Sequence, residues 1–307
     1  MNVQKVAILL STFNGEAYLE KLLNSLLSQD YENFHIFVRD DGSSDGTLEI
    51  LKRFSENEQI DCLYSENIGV VKSFFSLLEQ CPIEADYYAF CDQDDEWDPK
   101  KVRDAVNVLN SNGGIDDIML YFSALKYVSE NGSFLRYSPP INIPPNFNGA
   151  ILQNLAIGCT TVINNNARKK IVTNVNFSEV YMFDWWVFLV CSYFGNVYFS
   201  ETAYINYRQH SNNTVGASAN NILEKLFQWM RYFIKRPNRF ISRQMFEFYR
   251  VYKHHLDSDH DELLREFVSI YRKNFFQRML CVPSLKVSRQ VPWQTILAKL
   301  LITLRLI

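Results

Sequence analysis

Apolar residues recur along this chain in two alternating rhythms. Lys5–Leu10 (K-V-A-I-L-L) is nearly unbroken by polar residues, the pattern of a strand buried on both faces. After the polar stretch Ser11-Thr-Phe-Asn-Gly, the residues Tyr18, Leu19, Leu22, Leu23, Leu26 and Leu27 return at helical spacing. The pair then repeats. Phe34–Val38 predicts a strand and Leu48–Phe54 a helix; Ile60–Tyr64 a strand and Val70–Leu78 a helix. Asp86–Cys91 predicts the fourth strand. The helix after it shows its face at Val102, Val106 and Leu109, with Pro99 expected at its first position. Strand–helix alternation with short connections predicts an α/β fold, a mostly parallel sheet with helices on both faces.

The polar breaks fall where the strands end: Ser11–Asn14, Asp40–Thr47, Asn67–Gly69 and Asp92–Asp95. Sheets of this kind bind ligands beyond the carboxyl ends of their strands, so four polar turns are expected to converge on one crevice. Further along, Ile118–Val128 and Ile157–Ile163 read as strands, separated by a long loop, Gly132–Gly149, that holds four prolines. Tyr181–Trp186 opens an apolar helix. From Asn221 the character changes: Ile222, Leu223, Leu226, Phe227, Met230, Phe233 and Ile234 form a helical stripe. Residues 221–250 carry seven basic against two acidic side chains, a net +5. The expected organisation is a catalytic domain at 1–220, in halves 1–112 and 113–220, followed by a helical, basic and aromatic region at 221–307. Two readings of that region stand open: a helical appendage packed on the catalytic domain, and a surface lying on an anionic membrane.

Composition narrows the function classes. A chain of 307 residues, 47% hydrophobic, has ample material for a packed core. A net charge of −3 gives no case for nucleic-acid binding. Six cysteines without a C-x-x-C pair read as free thiols in a reducing compartment. With no signal-peptide pattern and no run near the roughly 20 apolar residues that span a bilayer, a cytoplasmic location is expected.

The strongest chemical signal is Ala89–Trp97, A-F-C-D-Q-D-D-E-W. Asp92, Asp94 and Asp95 crowd together at a strand end. Like charges this close persist in water or around a cation, so a solvated acidic turn and a metal site both remain open. Hard oxygen ligands on a short loop suit Mg²⁺ or Mn²⁺. Glu96 and Trp97 stand where an EF-hand loop would need glycine, which disfavours calcium. Asp40–Thr47 is either a turn capped by Asp45 or a ligand loop in which Asp40 and Asp41 accept hydrogen bonds. No G-x-G-x-x-G or G-x-x-x-x-G-K-[ST] is present, which counts against the usual dehydrogenase and P-loop readings. A magnesium-dependent nucleotidyltransferase would want a basic residue in Ser11–Gly15, where none occurs; a non-catalytic nucleotide-binding scaffold remains the third alternative.

Val6–Gly15 (V-A-I-L-L-S-T-F-N-G), Asp40–Thr47 (D-D-G-S-S-D-G-T) and Phe90–Trp97 (F-C-D-Q-D-D-E-W), in this order, resemble a family 2 glycosyltransferase. The resemblance implies the GT-A fold, a nucleotide-sugar donor (a dTDP- or UDP-sugar) and inverting chemistry. It implies that Thr12, Asn14, Asp41 and Asp92 line the nucleotide pocket. Asp92-Gln-Asp94 would be the D-x-D metal motif, with Asp95 beside it and His210 as a further ligand. Arg208 would meet the diphosphate. Asp184, by itself readable as a helix N-cap, would be the catalytic base, and Trp185 and Trp186 would wall the acceptor pocket. D-Q-D-D-x-W, D-W-W and Y-R-Q-H-x-N-N-x-V-G resemble, more narrowly, bacterial rhamnosyltransferases of cell-wall polysaccharide assembly, which use dTDP-L-rhamnose. A lipid-linked saccharide acceptor and a peripheral place on the inner face of the cell membrane follow as expectations.

Overall fold

The computed structural model describes residues 3–82, 84–114, 116–210 and 240–307. Two compact units divide the chain. One comprises Met1–Pro140, Asn154–Thr173 and Met182–Ser211, the other Ile141–Gln153, Asn174–Tyr181 and Asn212–Ile307. The second unit thus takes in two short segments from before residue 220. The apolar stripe expected at Ile222–Ile234 and the part of the Y-R-Q-H-x-N-N-x-V-G motif beyond His210 lie outside the described residues.

The first unit is built on a nine-stranded sheet in the order β3-β2-β1-β4-β8-β6-β9-β5, with β7 paired to β6. Its strands are β1 (Val6–Thr12), β2 (Phe34–Asp40), β3 (Ile60–Tyr64), β4 (Tyr87–Asp92), β5 (Glu96–Trp97), β6 (Met119–Ser129), β7 (Phe134–Tyr137), β8 (Val162–Asn164) and β9 (Asn196–Gln209). β1 to β4 pair in parallel, as their βαβ connections require. β8 runs antiparallel to both β4 and β6, so the sheet is mixed. Five consecutive residues of β1, Val6–Leu10, have no exposed surface, because helices cover both faces of that strand. Helix α1 (Leu19–Leu27) turns Leu19, Leu22, Leu23 and Leu26 inward, and α4 (Lys101–Asn112) turns Val102, Ala105, Val106 and Leu109 the same way. The helices α2 (Thr47–Phe54), α3 (Val70–Gln80), α6 (Asn165–Val172) and α7 (Phe183–Phe194) complete the layers, and α5 (Phe147–Ala150) is a single turn of the second unit.

Three local expectations are corrected. Pro99 lies before α4 rather than at its first position, and Lys100 is the N-cap. Ile157–Ile163 is no continuous strand: Gly158–Thr160 forms a 3₁₀ turn, and β8 follows it. The Gly132–Gly149 loop contains β7, where Phe134, Leu135 and Tyr137 stand exposed.

The second unit holds α8 (Phe240–Tyr252), α9 (Ser258–Ile270), α10 (Phe275–Cys281) and α11 (Pro292–Thr303). Glu247 of α8 accepts a hydrogen bond from the Asn176 amide at 2.6 Å and pairs with Arg250 at 2.6 Å. Gln244 accepts from the Tyr181 amide at 3.1 Å.

Candidate active site

Parallel pairing in register brings Thr12, Asp40 and Asp92 to one edge: Thr12 lies opposite Asp40, and Ser11 opposite Asp92. Three of the polar turns read from the sequence leave the sheet here. Gln93, between the two aspartates of D-Q-D, ties the acidic turn to the first turn. Its Oε1 accepts from the Thr12 hydroxyl (2.8 Å) and the Phe13 amide (2.7 Å), while its Nε2 donates to the Phe13 carbonyl (3.0 Å). A Cβ on Gly15 would meet Gln93 Oε1 at 2.5 Å, so any larger residue there would push the Gln93 side chain out of these bonds. Asn14 stands at φ 49°, and its side chain accepts from the Ser44 amide at 2.8 Å, joining the first turn to the second.

In the second turn the two aspartates serve the loop itself. Asp40 accepts from the amides of Gly42 (3.1 Å) and Ser43 (2.9 Å). Asp41 is buried, pairs with the Arg39 guanidinium, and accepts from the amides of Ile68 and Gly69, each at 2.9 Å. Asp41 therefore locks the second and third turns together.

The acidic turn divides into two groups. Asp92, Asp95 and Cys159 offer ligand atoms that all lie within 4.8 Å of one another. Asp94 instead meets His210 Nε2 at 2.6 Å. Burial, then the charges of Asp94 and Asp184, push Asp92 up to about 7 from its ordinary 3.8. Burial, then Asp94 and Asp92, hold the Asp95 carboxyl well above the usual range. Asp95 Oδ1 accepts from the Arg208 amide at 3.2 Å, and its buried Oδ2 has no hydrogen-bond partner. Crowded, raised carboxyls with an orphaned buried oxygen fit a divalent cation, which would relieve the repulsion. A hard ion would take the carboxylates of Asp92 and Asp95; the Cys159 thiol, kept protonated by burial, is the poorest donor of the three.

Arg208 acts on the turn from the other side. Its Nε donates to the Asp94 carbonyl at 3.1 Å and its Nη1 to the Glu130 carbonyl at 2.7 Å, over the ring of Tyr18. At 3% exposure it braces the acidic turn rather than lying open in the cleft. Beneath the turn lies Lys101, a fully buried ammonium that sequence reasoning missed. Its Nζ sits 3.5 Å from the centre of the Trp97 ring and has no hydrogen-bond partner. Burial lowers it to about 8, while Cys91, Cys159 and Asp95 act the other way. Its position in the fourth helix's first turn gives no signal; only the fold puts it under the carboxylates.

Asp184 is the second residue of α7. The N-cap is Met182, which removes the reading of Asp184 as a simple cap. Its Oδ2 accepts from the Gly158 amide at 3.0 Å and its Oδ1 from the Trp185 amide at 2.7 Å. Burial pushes it up to about 6 against these bonds and one from Asn154. Its charge also raises Asp92, so the carboxyl stands within electrostatic reach of the acidic turn. Phe183, beside it, packs on Phe74, Phe75 and Phe90, which fixes the start of the helix. Trp186 is corrected to a core residue: it is fully buried, and its indole donates to the Ile171 carbonyl at 3.1 Å, so it walls no acceptor pocket. Trp185 is 6% exposed. Glu179, the nearest upstream carboxylate, is held ionised by Arg243 at 2.9 Å in the second unit, which makes it a poor base.

The family model described as Glycosyl transferase family 2 matches residues 7–172, more than half of the chain. The chain belongs to that family. It is a glycosyltransferase. The dTDP-rhamnosyl transferase RfbG of Shigella flexneri is 29% identical over 227 residues, 68% of this chain and 74% of that protein. Among solved structures, S. aureus TarS 1-349 in complex with UDP-GlcNAc superposes with a TM-score of 0.59 at 20% identity, covering 86% of this chain and 71% of that one. The mannosyltransferase PcManGT from Pyrobaculum calidifontis, in complex with GDP-Man and Mn²⁺, gives 0.50 at 13% identity, covering 99% and 87%. These likenesses are of fold, and they establish the GT-A architecture for a mixed sheet flanked by helices with further helices at the C-terminal end.

Proposed function

We propose that this glycosyltransferase moves L-rhamnose, with inversion, from dTDP-L-rhamnose to a hydroxyl of a growing lipid-linked polysaccharide. The observation that carries the transfer chemistry is the carboxyl of Asp184, held by the Gly158 and Trp185 amides at the start of α7, raised to about 6 and within electrostatic reach of the acidic turn. A base at this value is mostly ionised at neutral pH yet more basic than an ordinary carboxylate. Asp184 takes the proton of the acceptor hydroxyl as that oxygen attacks the anomeric carbon from the face opposite the nucleotide. The amides of Gly158 and Trp185 hold its two oxygens in place.

The donor's nucleotide lies along the turns that carry Thr12, Asn14 and Asp41, and its diphosphate at the acidic turn. Asp92 and Asp95, with Asp94 beside them, would hold Mg²⁺ or Mn²⁺, which when bound would supply charge neutralisation for the diphosphate leaving group. Arg208 and His210 keep that turn in position. The relative RfbG supports rhamnose as the sugar and dTDP as its carrier. The Mn²⁺ complex of PcManGT supports a divalent ion in this fold. A lipid-linked acceptor would place the enzyme peripherally at the inner membrane face; no described helix is long and apolar enough to cross a membrane.

The test is thermal stabilisation by a panel of nucleotide sugars with Mn²⁺ present, followed by release of free nucleotide. dTDP-L-rhamnose should raise the melting temperature most and yield dTDP. Stabilisation by a UDP- or GDP-sugar in preference to it would overturn the donor assignment.

A further inference from the structure

The last two helices each keep a second apolar face in water. In α10, Phe276 and Leu280 are 76% and 82% exposed, four residues apart, with Met279 exposed between them. In α11, Ile296 is 72% exposed, and Leu300 and the C-cap residue Leu304 continue the same stripe at a spacing of four. Neither face is loose. The other sides are buried: Arg278 of α10 donates to the Thr303 carbonyl at 2.7 Å, and Leu297, Ala298, Leu301 and Ile302 of α11 pack inward. The Arg278 bond therefore ties the two helices to each other. Isolated exposed apolar residues need no explanation, but a cluster of this size within thirty residues marks an interaction surface.

Charge identifies the partner. Residues 267–307 contain seven Lys or Arg and no Asp or Glu. Four of the seven donate to backbone carbonyls: Arg278, Arg289, Lys299 and Arg305. Arg272 and Lys286 are exposed and Lys273 half-buried. A second copy of the chain is poorly matched, because a two-fold contact would set this acid-free segment against itself. An anionic bilayer matches both properties, with an apolar boundary for the Phe, Leu and Ile side chains and negative headgroups for the basic ones.

We infer that the outer faces of α10 and α11 dock the enzyme on an anionic lipid surface, Phe276, Leu280 and Ile296 entering the headgroup–acyl boundary while Arg272 and Lys286 meet lipid headgroups. Helices this short lie in the interface and do not span it. The inference stands on the surface itself and draws only its purpose from the proposed lipid-linked acceptor.

The experiment is co-sedimentation of the full chain with phosphatidylcholine vesicles, with and without phosphatidylglycerol. Wild type should bind the anionic vesicles and lose binding as salt is raised. The triple variant Phe276→Gln, Leu280→Gln, Ile296→Gln should bind at least roughly tenfold more weakly. The pair Arg272→Gln, Lys286→Gln should lower binding to anionic vesicles alone, by roughly fivefold or more. Both variants should keep the wild-type melting temperature and its shift with dTDP and Mn²⁺, since every changed side chain is exposed. That control separates failure of this surface from failure of the donor site. Equal sedimentation of wild type and triple variant would overturn the inference. So would a wild-type dimer that the triple variant dissolves while neither binds vesicles.

Discussion

Asp92 shows how a single carboxyl couples stability to chemistry. Its folded value of about 7 lies above its ordinary 3.8. Between those values the folded chain binds the proton more tightly than the unfolded one, so stability falls as pH rises through that window, and above it the full penalty remains. Asp92→Asn should therefore stabilise the metal-free protein at pH 8, by on the order of 1–2 kcal/mol after solvent screening, and change little near pH 4. Mn²⁺ should raise the melting temperature of the wild type at pH 8 and do so far less for the variant. Melting curves with EDTA and with Mn²⁺ at the two pH values check this; equal curves for both proteins would show that Asp92 is neither strained nor a ligand. Lys101 has the opposite character: a buried cation lowered to about 8 sits beneath the same turn. No sequence pattern flags such a pair. Asp92, Asp94 and Asp95 were legible because they adjoin in the chain, whereas Cys159 and Lys101 join them only through the sheet and the fourth helix.

At the scale of elements, the site is a set of turns laced to one another. Gln93 spans from the fourth strand's turn to the first through three hydrogen bonds. Gln93→Ala should leave the buried Thr12 hydroxyl and the Phe13 amide unpaired, at a cost of about 1–3 kcal/mol. It should also weaken nucleotide affinity, because the first turn loses its anchor. Denaturant titration and nucleotide binding measure both; unchanged values in each would mean that the lacing is incidental. The strand–helix pairs up to α4 were readable, since each carries a buried run or a 3.6-residue face. The region after β6 was less so. Ile157–Ile163 has the composition of a strand, yet the Gly158 amide bonds Asp184 and the chain turns there. Trp186 likewise read as a sugar platform, but helix periodicity cannot say which side of α7 faces the core. The structure places its indole against the Ile171 carbonyl.

For the whole molecule, motif order and spacing already pointed to the family, and the matched stretch of 7–172 carries the first three polar turns and the acidic turn. Asp184 lies beyond that stretch, in the first unit, on a helix whose start is fixed by packing on Phe74, Phe75 and Phe90. Its assignment as base is the central claim. The most direct measurement is turnover of Asp184→Asn beside wild type, with donor affinity and melting temperature read on the same samples. The account predicts transfer lower by roughly two to four orders of magnitude, with donor affinity close to wild type. It also predicts a melting temperature close to wild type, because removing a carboxyl that burial raises to about 6 offsets the loss of one of the two oxygens that accept the Gly158 and Trp185 amides. Wild-type turnover by Asp184→Asn would contradict it.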